Sequence, residues 1–217
     1  MKKCIIIANG KSPTKKNVLF FLGKGYNTII CADGGANSAK KLGITPHFII
    51  GDLDSIKPGI KKYYENKSTI IKYKRQNDTD VEKCLKFAIK KKFDEVVLLG
   101  ATGDRLDHTI CNLGIVIKFY KQIKILLAAE NSFLVPTDRS LTLKSVNGET
   151  ISLYAFDLRT KITSYGLKYK LKNTALPFGE RESTSNVSIS SKIKLDVKGG
   201  IIFIIRDFNF IKKYDLI

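Results

Sequence analysis

Apolar residues in the first 130 positions fall in short unbroken runs: KCIIIA (3–8), TIICA (28–32), HFII (47–50), TIIKY (69–73), EVVLL (95–99) and KILLA (124–128). Runs with no polar interruption suit strands buried on both faces, the habit of parallel sheets. Helical patterns lie between them. The clearest opens at Thr79, an N-cap residue with Glu82 three positions on. Val81, Cys84, Leu85, Ala88 and Ile89 then recur on one face, and lysines take the other. Such alternation predicts an α/β domain over 1–130, with a doubly wound, mostly parallel, Rossmann-like sheet.

From Asn131 the period shortens. SLTLKSV, ETISLYAF, KITSY, LKYKL, SNVSIS and KIKLDVKGGIIFII are brief, often alternating every second residue, and are punctuated by Asn147-Gly148 and Gly199-Gly200. They predict an antiparallel β-sandwich domain over 131–217. No Pro- or Ser-rich linker marks the joint, which the change of texture places between Ala129 and Thr137, and no internal repeat is visible.

Charge sharpens this picture. The 38 Lys and Arg outnumber the 20 Asp and Glu, a net +18. The lysines are spread in small groups such as Lys90-Lys91-Lys92, with no arginine-rich arm and no reading helix, so a solvated basic surface is expected and nucleic acid is not the expected partner. Cys4, Cys31, Cys84 and Cys111 are widely spaced, with only His47 and His108 beside them, which argues against zinc and against a disulfide framework. The five-residue apolar stretch after the opening lysines is too short for a signal core, and no segment approaches a membrane span; a cytoplasmic protein without a membrane partner is expected.

The acidic residues carry more information. Asp33 closes the run TIICA, Asp52 and Asp54 follow HFII, Asp78 and Asp80 follow TIIKYKRQ, and Asp104 and Asp107 follow EVVLLGATG. In an open parallel sheet all these strand ends meet at one edge, where ligands bind. Read as extended backbone, GDLDS points Asp52 and Asp54 the same way. Seven carboxylates at one edge would repel unless a cation sat among them, and hard oxygen donors without a His/Cys set favour magnesium. Gly34-Gly35 at a helix start, and a second glycine loop with Arg105, suit a phosphate. There is no GxxxxGK[ST] and no GxGxxG after the first strand. Each stretch alone reads equally as a turn, a cap or a helix-dipole partner; their meeting at one edge favours the metal and phosphate reading.

Taken in order, ADGGAN (32–37), GDLDS (51–55), QNDTDVEKCL (76–85), GATGDRLDHTICN (100–112) and STSN (183–186) resemble the motif set of thiamin pyrophosphokinases. The resemblance spans nearly the whole chain. It implies transfer of the pyrophosphoryl group of ATP to the hydroxyl of thiamin, giving thiamin diphosphate and AMP, on a homodimer. It implies that Asp52, Asp54 and Asp80 hold Mg2+, with Asp33 beside them. Gly34, Gln76 and Asp78 become nucleotide or metal-shell positions, Arg105 and Asp107 contact the ATP phosphate and its surroundings, and Asn112, on the following helix, is a further candidate contact of the nucleotide. Asp33 or Asp54 would take the hydroxyl proton, a choice that spacing does not make. Ser185 and Asn186 become thiamin contacts across a subunit boundary. The chain departs from the pattern in having no Trp, so Tyr169 is the nearest aromatic candidate for the thiamin rings. The alternatives are a pyrophosphokinase for a pterin-like alcohol, a basic nucleic-acid-binding protein, and a metal-dependent transferase using a nucleotide sugar.

Overall fold

A computed structural model describes residues 1–73, 77–103 and 105–217, and these divide into two compact units, Met1–Glu130 and Asn131–Ile217. In the first, strands and helices alternate throughout. They are β1 (Lys3–Ile7), α1 (Lys15–Gly23), β2 (Thr28–Ala32), α2 (Gly35–Lys41), β3 (Phe48–Gly51), α3 (Pro58–Tyr64), β4 (Thr69–Lys72), α4 (Asp80–Lys90), β5 (Glu95–Leu99), α5 (Leu106–Phe119) and β6 (Lys124–Ala128). The strands are parallel in the order β6-β5-β1-β2-β3-β4. All five side chains of β5 are buried, as are four of five in β1, β2 and β6, which is why those runs carry almost no polar residue. Cys4, Cys31 and Cys84 are buried in this unit, and Cys111 is exposed.

Helix α4 shows how local sequence sets the geometry at a strand end. Thr79 caps it, its Oγ1 accepting the Glu82 N–H at 3.2 Å. The reciprocal half of a capping box is not made. The Glu82 carboxylate instead accepts from Lys118 of α5 at 2.6 Å and pairs with Lys86 at 2.8 Å, tying two helices together. The apolar face is buried as expected, but the lysines do not all face outward, because Lys83 is buried.

The second unit comprises β7 (Ser132–Thr137), β8 (Leu141–Lys144), β9 (Thr150–Ala155), β10 (Lys161–Tyr165), β11 (Thr174–Ala175), β12 (Ser183–Val187), β13 (Lys192–Lys198), β14 (Ile202–Asp207) and α6 (Phe208–Tyr214). One antiparallel layer runs β12-β9-β14-β7 and the other β11-β10-β13-β8. Ile151, Leu153, Ile202 and Ile204 of the first layer pack with Ile162, Ile193, Leu195 and Val197 of the second in one core, as in a β-sandwich. The segment LKYKL, expected as a strand, is not one. Gly166 takes a left-handed φ of 82°, Leu167 makes a single bridge to Ser188, Lys168 N–H donates to the Val187 carbonyl at 2.8 Å, and side chains take part of the backbone beyond that. Asn186 takes both backbone groups of Tyr169, and Ser164 Oγ accepts the Leu171 N–H at 2.9 Å. Among the described residues no helix is long and apolar enough to cross a membrane.

Candidate active site

The ends of β1 to β5 open into a cavity of about 770 Å³ within the first unit. The sheet order reverses between β1 and β5, the position at which open α/β sheets receive ligands. Asp33 is buried at the end of β2, in a left-handed backbone conformation with φ 39°. Its carboxylate accepts two backbone N–H groups from the loop after β3, Ser55 at 3.0 Å and Ile56 at 3.1 Å. Burial pushes the Asp33 carboxyl up to about 6; the Ser55 N–H opposes that rise and the charge of Asp80 adds to it.

One carboxylate oxygen from each of Asp33, Asp52 and Asp80 lies within 4.8 Å of the other two. Asp54 falls outside that mutual set, although its carboxylate interacts with those of Asp33 and Asp52. Leu53 has φ 68°, so the GDLDS loop leaves the extended conformation after Gly51, and the two aspartates do not stack on one side of a strand. The Asp54 N–H turns back onto Asp52 Oδ1 at 3.3 Å, and its carboxylate accepts the Ser55 hydroxyl at 2.9 Å, which helps hold its pKa below the usual range. Asp52, Asp78 and Asp80 line the cavity and Asp54 does not. Asp78 pairs with Lys86 at 2.8 Å.

Lys83 is the cation that periodicity missed. One turn after Asp80, its ammonium reaches Asp80 Oδ1 at 2.8 Å. Burial would lower its pKa, but the Asp80 bond and the charges of Asp80, Asp52 and Asp33 together outweigh burial and raise it. The signal was present as an i,i+3 Asp–Lys pair, hidden because a lysine counts as surface in a helical pattern. Arg105 and Asp107 are exposed and bonded to each other, Nε to Oδ1 at 3.2 Å and Nη2 to Oδ2 at 2.5 Å. Asn112 is buried and donates to the Ala101 carbonyl at 2.7 Å, anchoring the glycine loop after β5. Gly34 caps α2 with an ordinary φ of −57°. Gly35 is needed for packing, because a Cβ there would collide with the carbonyl oxygen of Ile7. Gln76 and Asp104 lie outside the described residues.

In the second unit Ser185 is exposed, with φ 55° at an irregularity of edge strand β12. Asn186 is 1% exposed and its amide is fully engaged with Tyr169, Val187 and Ser183, while the Tyr169 side chain remains exposed.

A parallel α/β unit with acidic groups and glycine loops at its strand ends defines the class of sheet proteins that take ligands at this edge. Comparison with known proteins narrows it. The family model for the thiamin pyrophosphokinase catalytic domain matches residues 22–127, and that for the thiamin pyrophosphokinase vitamin B1 binding domain matches residues 138–202. A thiamine pyrophosphokinase of Bacillus subtilis is 30% identical over 184 residues, covering 82% of this chain and 86% of its own. Thiamine pyrophosphokinase 3 of Oryza sativa is 32% identical over 187 residues, covering 73% and 70%. The solved Bacillus subtilis thiamine pyrophosphokinase superposes with a TM-score of 0.81 at 26% identity, over 95% of this chain and 99% of that one. The chain belongs to the thiamin pyrophosphokinase family.

Proposed function

We propose that the chain transfers the pyrophosphoryl group of ATP to the hydroxyl of thiamin, yielding thiamin diphosphate and AMP. The observation that carries this reading is the group of Asp33, Asp52 and Asp80 oxygens at the cavity wall. That set fits magnesium: it is all hard oxygen, with no imidazole or thiolate in it. Bound there, Mg2+ would supply positive charge to the triphosphate.

The protein's own groups position and neutralise. The glycine loops bring backbone close to the phosphates, and Arg105 turns its guanidinium from Asp107 to a phosphate oxygen, where two donors grip better than one. Lys83 keeps Asp80 in place. The thiamin oxygen must meet the β-phosphorus opposite the departing AMP oxygen, so alignment is the main demand on the site. Thiamin recognition is assigned to the second unit, around Ser185 and Tyr169, and a homodimer is part of the same reading.

The test is to incubate the protein with ATP, thiamin and Mg2+ and to separate the products. AMP and thiamin diphosphate in equal amounts are expected, with the yield abolished by EDTA and by Asp52→Asn. ADP as the sole nucleotide product would reject pyrophosphoryl transfer.

A further inference from the structure

The loops after β1 and β5 are bonded to each other through their backbones where the strand order reverses. Ala8 N–H donates to Leu99 O at 2.8 Å, Gly10 N–H to Gly100 O at 2.7 Å, and Lys11 N–H to Thr102 O at 2.7 Å. The approach is so close that a Cβ on Gly103 would sit 2.7 Å from the Lys11 nitrogen. Lys11 therefore has a fixed backbone position on the wall of the main cavity.

Its ammonium lies 2.5 Å from Oε2 of Glu130, and the two side chains are 60% and 56% exposed. An ion pair exposed to that degree is weak and screened, so its partners exchange readily. Glu130 does not line the main cavity; it lines a smaller one beside it, which Lys11 also borders. The contrast is with Lys83, whose partner Asp80 is a member of the acidic trio. Lys11 can turn to an anion in the main cavity without stripping a carboxylate from that trio. A triphosphate lying against three carboxylates needs such a cation.

We propose that Lys11 is a nucleotide-binding residue: its ammonium exchanges Glu130 for a phosphate oxygen of the bound nucleoside triphosphate. Glu130 is a positioning residue that holds Lys11 at the rim and competes with phosphate for it. This assignment rests on the reading of the cavity as the ATP site.

The experiment measures turnover together with calorimetric binding of a non-hydrolysable ATP analogue. Lys11→Met should weaken the analogue and raise the KM for ATP about tenfold, the loss of one charge-assisted contact, with kcat and the KM for thiamin changed less than about twofold. Lys11→Arg should retain near wild-type values. Glu130→Gln should tighten the analogue about threefold when Lys11 is present, and not at all beside Lys11→Met. Unchanged analogue affinity in a folded Lys11→Met protein overturns the proposal, as does a Glu130→Gln effect that persists without Lys11. Failure of the wild-type protein to bind the analogue overturns the ATP-site reading as well, which separates the two.

Discussion

A Cβ placed on Gly51 would sit 2.7 Å from the Cβ of Asp33 and 3.1 Å from Oδ1 of Asp80. Gly51 is the last residue of β3 and does not have a left-handed φ, so its lack of a side chain serves space and not backbone freedom. Gly51→Ala must push apart two of the three carboxylates that face one another. We expect kcat/KM to fall about 100-fold, the usual penalty for a displacement near 1 Å in a positioned site. Overpacking would also remove roughly 1–3 kcal/mol of stability. Steady-state kinetics on protein shown folded by circular dichroism checks this, and a fully active Gly51→Ala variant would remove the acidic trio from the mechanism.

The second unit has a buried ion pair whose halves must go together. Arg206 donates from Nε to Glu149 Oε1 at 2.6 Å and from Nη2 to Oε2 at 2.8 Å, with Nη2 also reaching the Lys144 carbonyl at 2.8 Å. Glu149 is 0% exposed and Arg206 3%. Arg206→Met leaves a carboxylate buried without its cation and should cost about 3–5 kcal/mol in denaturant unfolding. Adding Glu149→Leu removes the stranded charge and should recover part of that loss. A single variant as stable as the wild type would contradict the pairing.

How far the molecule is legible in its sequence follows from what each pattern encodes. The six parallel strands can be read because burial on both faces leaves no place for a polar residue, and their observed ends differ by about one position from the apolar runs. The gathering of Asp33, Asp52 and Asp80 at one edge follows from strand direction alone. Which carboxylates converge does not, because it depends on left-handed turns at Asp33 and Leu53 that alternation rules assume away. Lys83 is hidden because a helical pattern sorts lysine to solvent, while a carboxylate one turn earlier holds it inside. LKYKL alternates like a strand, yet only Leu167 and Lys168 pair with the chain at Val187 and Ser188, while the Asn186 and Ser164 side chains take the Tyr169 groups and the Leu171 N–H. β7 and α6 were not expected. The only sign of α6 is Asp207, which caps it by accepting the Asn209 N–H at 2.7 Å.

Asp157 gives a pH test of stability. In the turn between β9 and β10 its Oδ1 accepts the Thr160 N–H at 2.9 Å, the Thr160 hydroxyl at 3.0 Å and the Arg159 N–H at 2.9 Å. These bonds, the Thr160 N–H foremost, hold the Asp157 carboxyl below its ordinary pKa. A depressed acid contributes stability that is present above its unfolded value and is lost as pH falls through the folded one. Asp157→Ala should therefore melt below the wild type at pH 7, and the gap should narrow as pH drops below the usual carboxylate range. A gap independent of pH would mean that the ionised form plays no part.

Asn186 tests how thiamin is recognised in a chain without tryptophan. Its Oδ1 accepts the N–H groups of Tyr169 at 3.0 Å and Val187 at 2.9 Å, and its Nδ2 donates to the Tyr169 carbonyl at 2.7 Å. With its amide engaged and its surface covered, Asn186 acts on a ligand through what it positions, which is the exposed Tyr169 and the irregular strand at Ser185. Asn186→Ala frees the Tyr169 backbone and leaves buried polar groups unpaired, at about 1–3 kcal/mol. If the second unit binds thiamin at that surface, the variant should raise the KM for thiamin several-fold while the KM for ATP stays at the wild-type value, because the acidic trio and the glycine loops belong to the first unit. Kinetics with each substrate varied in turn, run beside thermal melts, separates the outcomes. A lowered melting temperature with both KM values unchanged would make Asn186 purely structural and would move thiamin recognition away from Tyr169.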